Sequence, residues 1–472
     1  MISFFLHYDN LILQAALSLC VTVFINLLRV PTRFLEGLHT YIHPENLGND
    51  TNQSGFRAAI RRPQNTESSG SGLEGYKSLS SRDNVEPKKK NRSKEKFEFD
   101  ENNAQIFRLP LVDSHLQSRL YFPEYRDAFL YSVVALSSLL LHCFLHVPEG
   151  SGMLVSGAVV PVLLGFVAVC KVLVLLAKVS FERSASKRSE KQISILVGFL
   201  GFLLVLAIVS MIAPSAFDFK LDSVDGFSQV SIAVLLGCLT GFLFMPATKS
   251  ARSFWLGTDQ LRCNLSIISC GWVTRMLLHV NLLLIIFTSV LWINPLAEIL
   301  VNKRNFDTKV GCSSPATGNA EKLAGNVGMA QSDFTKLRLW CLLVSGLLQI
   351  VMLRPNLQMH MNEAVLSWYQ RLHASRVPDL DFSRAKIFLH NYYLCLVVLQ
   401  FFAPPVLVLI FLGLSRIEGD LFGSIPFVCS FVPCSAFVKE VALFIAWWIV
   451  FVWVIFTSSS LLLYRCGFSY IS

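Results

Sequence analysis

Apolar stretches long enough to cross a hydrocarbon core recur along the chain at residues 11–28, 127–147, 153–177, 192–213, 229–247, 271–293, 336–353, 387–412 and 438–463. A spanning helix needs roughly 20 mostly apolar residues, because only a helix satisfies its own backbone polar groups in lipid. The pattern therefore predicts an all-α fold, a polytopic transmembrane bundle of about nine spans. It divides the chain into an N-terminal span (1–33), a polar and basic loop (34–104), and an eight-span bundle (105–472) carrying a non-spanning helix at about 355–375.

Between the first two spans the pattern changes. The stretch SSGSGLEGYKSLSSRDNVEPKKKNRSKEK is low in aliphatics and predicts a disordered, solvated linker rather than a core. Its basic run from Lys88 to Lys94 could also rest on an anionic leaflet. Further on, Ile106, Leu109, Leu111, Leu116, Leu120 and Phe122 punctuate polar positions, as in a segment lying on the membrane surface.

Composition agrees with the pattern: 53% hydrophobic and 15% charged residues are too apolar and too poor in charge for an ordinary soluble domain. The formal net charge of +9 does not point to nucleic acid, because Lys and Arg concentrate in alternate loops, as positive-inside bias dictates. That bias places the N-terminus outside or lumenal, the C-terminus in the cytosol, and the protein in the plasma membrane or an endomembrane. No basic residue precedes the first span, whereas Arg29 and Arg33 follow it, so it reads as a retained helix rather than a cleaved signal. The sequons at Asn49, Asn52, Asn91 and Asn264 then face the cytosol and stay unglycosylated. The cysteines form no CxxC pair; Cys312, Cys429 and Cys434 lie outside and could supply one disulfide.

Polar groups within spans are the candidate sites. Lys171 either snorkels to the inner interface or meets a partner helix. Arg275 and His279 share one face of the sixth span: Arg275 is within snorkelling reach, His279 is expected to bond a neighbouring helix, and Asn281 extends the same seam. Gly237 and Gly241 form a GxxxG step, suited first to packing within the monomer and second to a homo-oligomer. In the eighth span Pro404 and Pro405 lack the N–H groups that would bond the carbonyls of Gln400 and Phe401. An opened helix is expected there, either healed by its neighbours or lining a solute path. Arg354 and Pro355 mark a cytosolic turn between the seventh span and the amphipathic helix.

Several motifs resemble the transmembrane protein 161 family. They are CKVLVLLAKVSFERSASKRS (170–189), LLGCLTGFLFMP (235–246), MLLHVNLLLIIF (276–287) with NPLAEIL (294–300), RLWCLLV (338–344) with LRPNLQ (353–358), VVLQFFAPP (397–405) and IAWW (445–448). The resemblance implies a multi-pass membrane protein with no assigned catalytic activity and no active-site signature. Its animal relatives are linked to control of ion currents, heart rhythm and stress responses.

No HExxH, GxSxG or P-loop is present, nothing pairs a nucleophile with a base, and no carboxylate lies deep in a span. His360 and Glu363, at i and i+3, are a lone pair and too few for a metal site. The expectation is a non-enzymatic protein without catalytic residues, metal or cofactor. Its partners would be the lipid bilayer and other membrane proteins such as ion channels, which it regulates or scaffolds, with no nucleic acid. The alternative is a channel or carrier for an anion or lipid-like solute at the eighth span.

Overall fold

Nine helices among the described residues are long and apolar enough to span a membrane. The computed structural model describes residues 9–42, 57–60, 106–145, 157–182, 188–212, 217, 219, 226–258, 270–294, 297, 300, 329–374, 380–417 and 436–468. Cys312, Cys429, Cys434, the sequons and the basic run all lie outside them. In chain order the elements begin with α1 (Asp9–Leu27), α2 (Val30–Leu35), β1 (His39–Ile42), β2 (Arg57–Ile60), β3 (Ile106–Pro110) and α3 (Asp113–Gln117). There follow α4 (Phe122–Phe144), α5 (Val159–Phe181), α6 (Arg188–Ala207), which continues as a π-turn at Ile208–Ile212, α7 (Gly226–Thr258) and α8 (Trp272–Val290). The chain continues through α9 (Gln331–Val351), α10 (Leu353–Ala374), α11 (Leu380–Tyr392), α12 (Leu394–Leu414) and α13 (Ala436–Arg465). The fold is an all-α bundle with one small sheet.

Two boundaries differ from the sequence expectation. The fifth span does not stop near Ala247: α7 runs on through Pro246 to Thr258, carrying Lys249 and Arg252 past the hydropathic limit. The eighth starts at Leu394, and the residues before it form the separate helix α11. Within the polar loop 34–104, His39–Ile42 and Arg57–Ile60 are strands, while the low-complexity stretch read as disordered lies outside the described residues. They flank β3 in an antiparallel sheet of order β1-β3-β2.

The bundle is organised around α12, whose spanning window is buried along its whole length, against 11% for α1. Lipid offers no hydrophobic drive to bring helices together, so close packing and interhelical hydrogen bonds must do it. The first span shows how: Gln14 is fully buried, and its amide meets the Ser138 hydroxyl of α4 at 2.8 Å.

The ends of the helices sort into two faces. One face gathers β1–β3, α10, α11, the junction of α5 and α6, and the ends of α7 and α13; we call it the cap face. The far face is aromatic. Phe219 stacks on Trp292 at 4.7 Å and meets Phe444 edge-on at 5.0 Å. Buried Arg338, near the start of α9, lies 4.9 Å over Trp292 and 4.3 Å over Phe334, and its Nε donates to the Leu291 carbonyl at 3.0 Å.

Candidate functional site

The cap face carries a polar layer with Arg252 at its hub. Because α7 persists beyond Pro246 as far as Thr258, the Arg252 guanidinium reaches three other helices. Its Nη2 lies 3.5 Å from Glu190 of α6, its Nη1 3.5 Å from Glu363 of α10, and its Nε donates to the Tyr464 hydroxyl of α13 at 3.0 Å. One turn earlier, Lys249 donates through Nζ to Oε1 of Gln400 at 2.7 Å. Charge-assisted bonds of this kind contribute about 1.5–3 kcal/mol, above the value of neutral ones.

Beside Glu363 stand two histidines. Nδ1 of His360 lies 3.8 Å from Glu363 Oε2, and the His360 ring stacks on His390 of α11 with centroids 4.7 Å apart. Nδ1 of His390 is 2.9 Å from the Lys386 carbonyl, so that nitrogen carries the proton and Nε2 keeps its lone pair. Burial pushes the pKa of His360 well below its ordinary value, and the nearby His390, Lys249, Arg252 and Lys386 push the same way. Burial also lowers His390, with Glu363 opposing. Both rings are therefore neutral near pH 7.

The layer continues onto the sheet. Gln358 of α10 accepts from the His39 N–H at 2.8 Å and donates to the His39 carbonyl at 3.2 Å, so a side-chain amide completes the open edge of β1. Asn362 takes the Tyr41 hydroxyl at 2.8 Å, and Asn391 donates to the Tyr41 carbonyl. An unpaired strand edge is a template for foreign strands, and here two helices cover it.

The residues singled out from the sequence are only partly brought together. Gln400 joins the polar layer, but not in an opened helix at mid-membrane. The helix α12 runs without interruption through Pro404 and Pro405, and Gln400 sits about two turns from its cap-face end. Here α9 approaches so closely that a Cβ on Gly346 would lie 2.8 Å from Leu409 and 3.6 Å from the Pro405 carbonyl. Arg354 donates to the Glu36 carbonyl at 2.9 Å, tying the start of α10, which includes Pro355, to the segment before β1.

Lys171 combines both expected roles. It points towards the cap face and reaches Asp127 of α4 at 3.9 Å, with both side chains about a third exposed. Gly237 and Gly241 pack within the chain against α6. A Cβ on Gly237 would fall 2.7 Å from Cβ of Phe202, and Ser194 donates to the Gly241 carbonyl at 2.6 Å. Beside this contact lies a groove of about 500 Å³ lined by Phe199, Phe242 and Lys191 among others.

His279 departs from expectation. Its exposed ring bonds the Arg275 carbonyl of its own helix at 2.8 Å and touches Phe254 edge-on, because its face of α8 points outward. Asn281 instead lines small cavities of about 20 and 10 Å³ with Ser250 and Asn356, each with room for about one water.

Residues 225–422 match the family model described as predicted transmembrane protein 161AB. Over this segment the chain is similar to the transmembrane protein 161 family. The matched segment contains Lys249, Arg252, His360, Glu363, His390 and Gln400, so most of the polar layer falls within it. No solved structure matches this fold. The protein is thus a multi-pass integral membrane protein.

Sequence reasoning missed Lys249, Arg252, Glu190 and His390. A signal existed for the first two: they continue the i, i+3 register of α7 beyond its apolar part. Nothing local marks His390, 30 positions from His360 in the numbering.

Proposed function

We propose that this protein is a non-enzymatic regulator or scaffold of other membrane proteins, ion channels among them, with its cap face in the cytosol. The observation that carries the reading is the state of α12. A solute path through the eighth span needs polar groups facing water, whereas Gln400 is fully buried and its Oε1 is taken by Lys249. The cavities near the adjoining polar side chains of Asn281, Asn356 and Gln349 have room for about one water each. A packed centre closed at one face by a sheet and two helices suits a body that other proteins dock on. The basic loops on the cap side support a cytosolic placement through positive-inside bias.

Reconstitution tests it directly. Purified protein in liposomes is expected to pass no ions or common small solutes, while depletion of the protein from cells is expected to change the amplitude of endogenous ion currents. Robust flux through the purified protein, or currents unchanged by its removal, would overturn the reading.

A further inference from the structure

The sequence shows His360 and Glu363 as a pair, and folding brings a third donor to them. One ligating atom from each of His360, Glu363 and His390 lies within 4.8 Å of the other two. We propose that these three side chains form a site for a divalent transition metal, zinc foremost, at the joint between α10 and α11.

Three features of the chemistry argue for it. Two imidazoles and one carboxylate are a donor set that zinc accepts, with a remaining position for water. His390 is oriented by its bond to the Lys386 carbonyl, the outer contact that metal-ligating histidines commonly make, and this leaves Nε2 to face the metal. The Glu363 carboxylate divides its oxygens: Oε1 faces Arg252 at 3.5 Å and Oε2 faces His360.

Zinc bonds of about 2.0–2.2 Å place tetrahedral ligands roughly 3.3 Å from one another. The three donors therefore close in by an ångström or so, which rotation of the stacked rings about their broad terminal torsions supplies. Opposing this are the charges of Lys249, Arg252 and Lys386, offset by Glu190 as well as Glu363. They make the site weaker than a closed four-ligand structural one. Its effect is to fasten α11 to α10 and so stiffen the cap, whatever the protein docks.

The test uses full-length protein in detergent, stripped by a chelator and titrated with Co²⁺ and then Zn²⁺. Wild type is expected to develop the visible absorption of a low-coordinate cobalt centre at about one equivalent, bleached by zinc. His390→Ala and Glu363→Gln are expected to weaken binding roughly 100-fold, and His279→Ala, on an exposed ring of α8, to leave it unchanged. His390→Gln keeps a polar group of similar size and serves where the alanine variant does not fold. Wild-type protein that yields no cobalt spectrum and takes up no zinc overturns the proposal, as does a folded His390 variant that binds as tightly as wild type.

Discussion

The two faces of the bundle solve the same problem with different chemistry. At the cap face, helices from distant parts of the chain are joined by charges: Arg252 touches three helices besides its own, and Lys249 reaches Gln400 of a fourth. At the far face, among the described residues, Arg338 is sandwiched by Trp292 and Phe334 and its Nε ends on a carbonyl. Aromatic packing is non-directional and rigid, whereas a layer of ion pairs and neutral imidazoles depends on each partner's presence and charge. The far face should behave as a fixed base and the cap face as the part that responds to conditions.

The largest test of that contrast is Arg252→Met. It strands Glu363, which is nearly buried, and loss of one partner from a buried pair costs about 3–5 kcal/mol. The outcome expected is a clear drop in melting temperature, with proteolysis appearing first in α10 and α11. Adding Glu363→Gln should restore part of the loss; a double variant no better than the single one would mean that the pairing is not what holds the cap.

Next comes Arg338→Leu. The stack is worth about 0.5–2 kcal/mol and the bond to Leu291 about as much, so a loss of roughly 2 kcal/mol is expected. Hydrogen exchange should rise around the ends of α8 and α9 and leave β1 unchanged. Faster exchange at β1 would show that the two faces are coupled.

The smallest effect is acid. Burial, aided by Arg108, lowers the pKa of His39 from its ordinary 6.5. The unfolded chain then takes the proton more readily than the folded one. The stability this group contributes is complete above pH 6.5 and declines as pH falls below it. Exchange protection at β1, corrected for the slower intrinsic exchange in acid, should therefore fall modestly between pH 7 and 5.5, while protection at the far face does not change. Replacing His39 by Asn should reduce that dependence and leave the part carried by His360 and His390.

How far these features can be read from the sequence follows from the range of the forces. Spans declare themselves because apolar length is a local property, and the helix beginning at Leu353 is announced by Arg354 and Pro355. The polar layer is hidden by the same logic. A hydropathy window ends at Ala247 because Lys249 and Arg252 look like the start of a loop, although a partner 151 residues away keeps Lys249 in the bundle. Pro404 and Pro405 suggest an opened helix for local reasons, yet α12 runs on through them, with α9 packed against it at Gly346. The strand His39–Ile42 is short and its partners lie far along the chain, so no periodicity announces it.

The covered edge of β1 also sets a schedule. His39 waits for Gln358, 319 residues later in the chain, and synthesis at about 5–20 residues per second separates them by roughly 15 to 65 s. Throughout that interval a strand edge stands ready for any passing backbone while six further spans are threaded into the bilayer. The protein is born with this edge of its cap open, and the edge closes only after the start of α10 has been made.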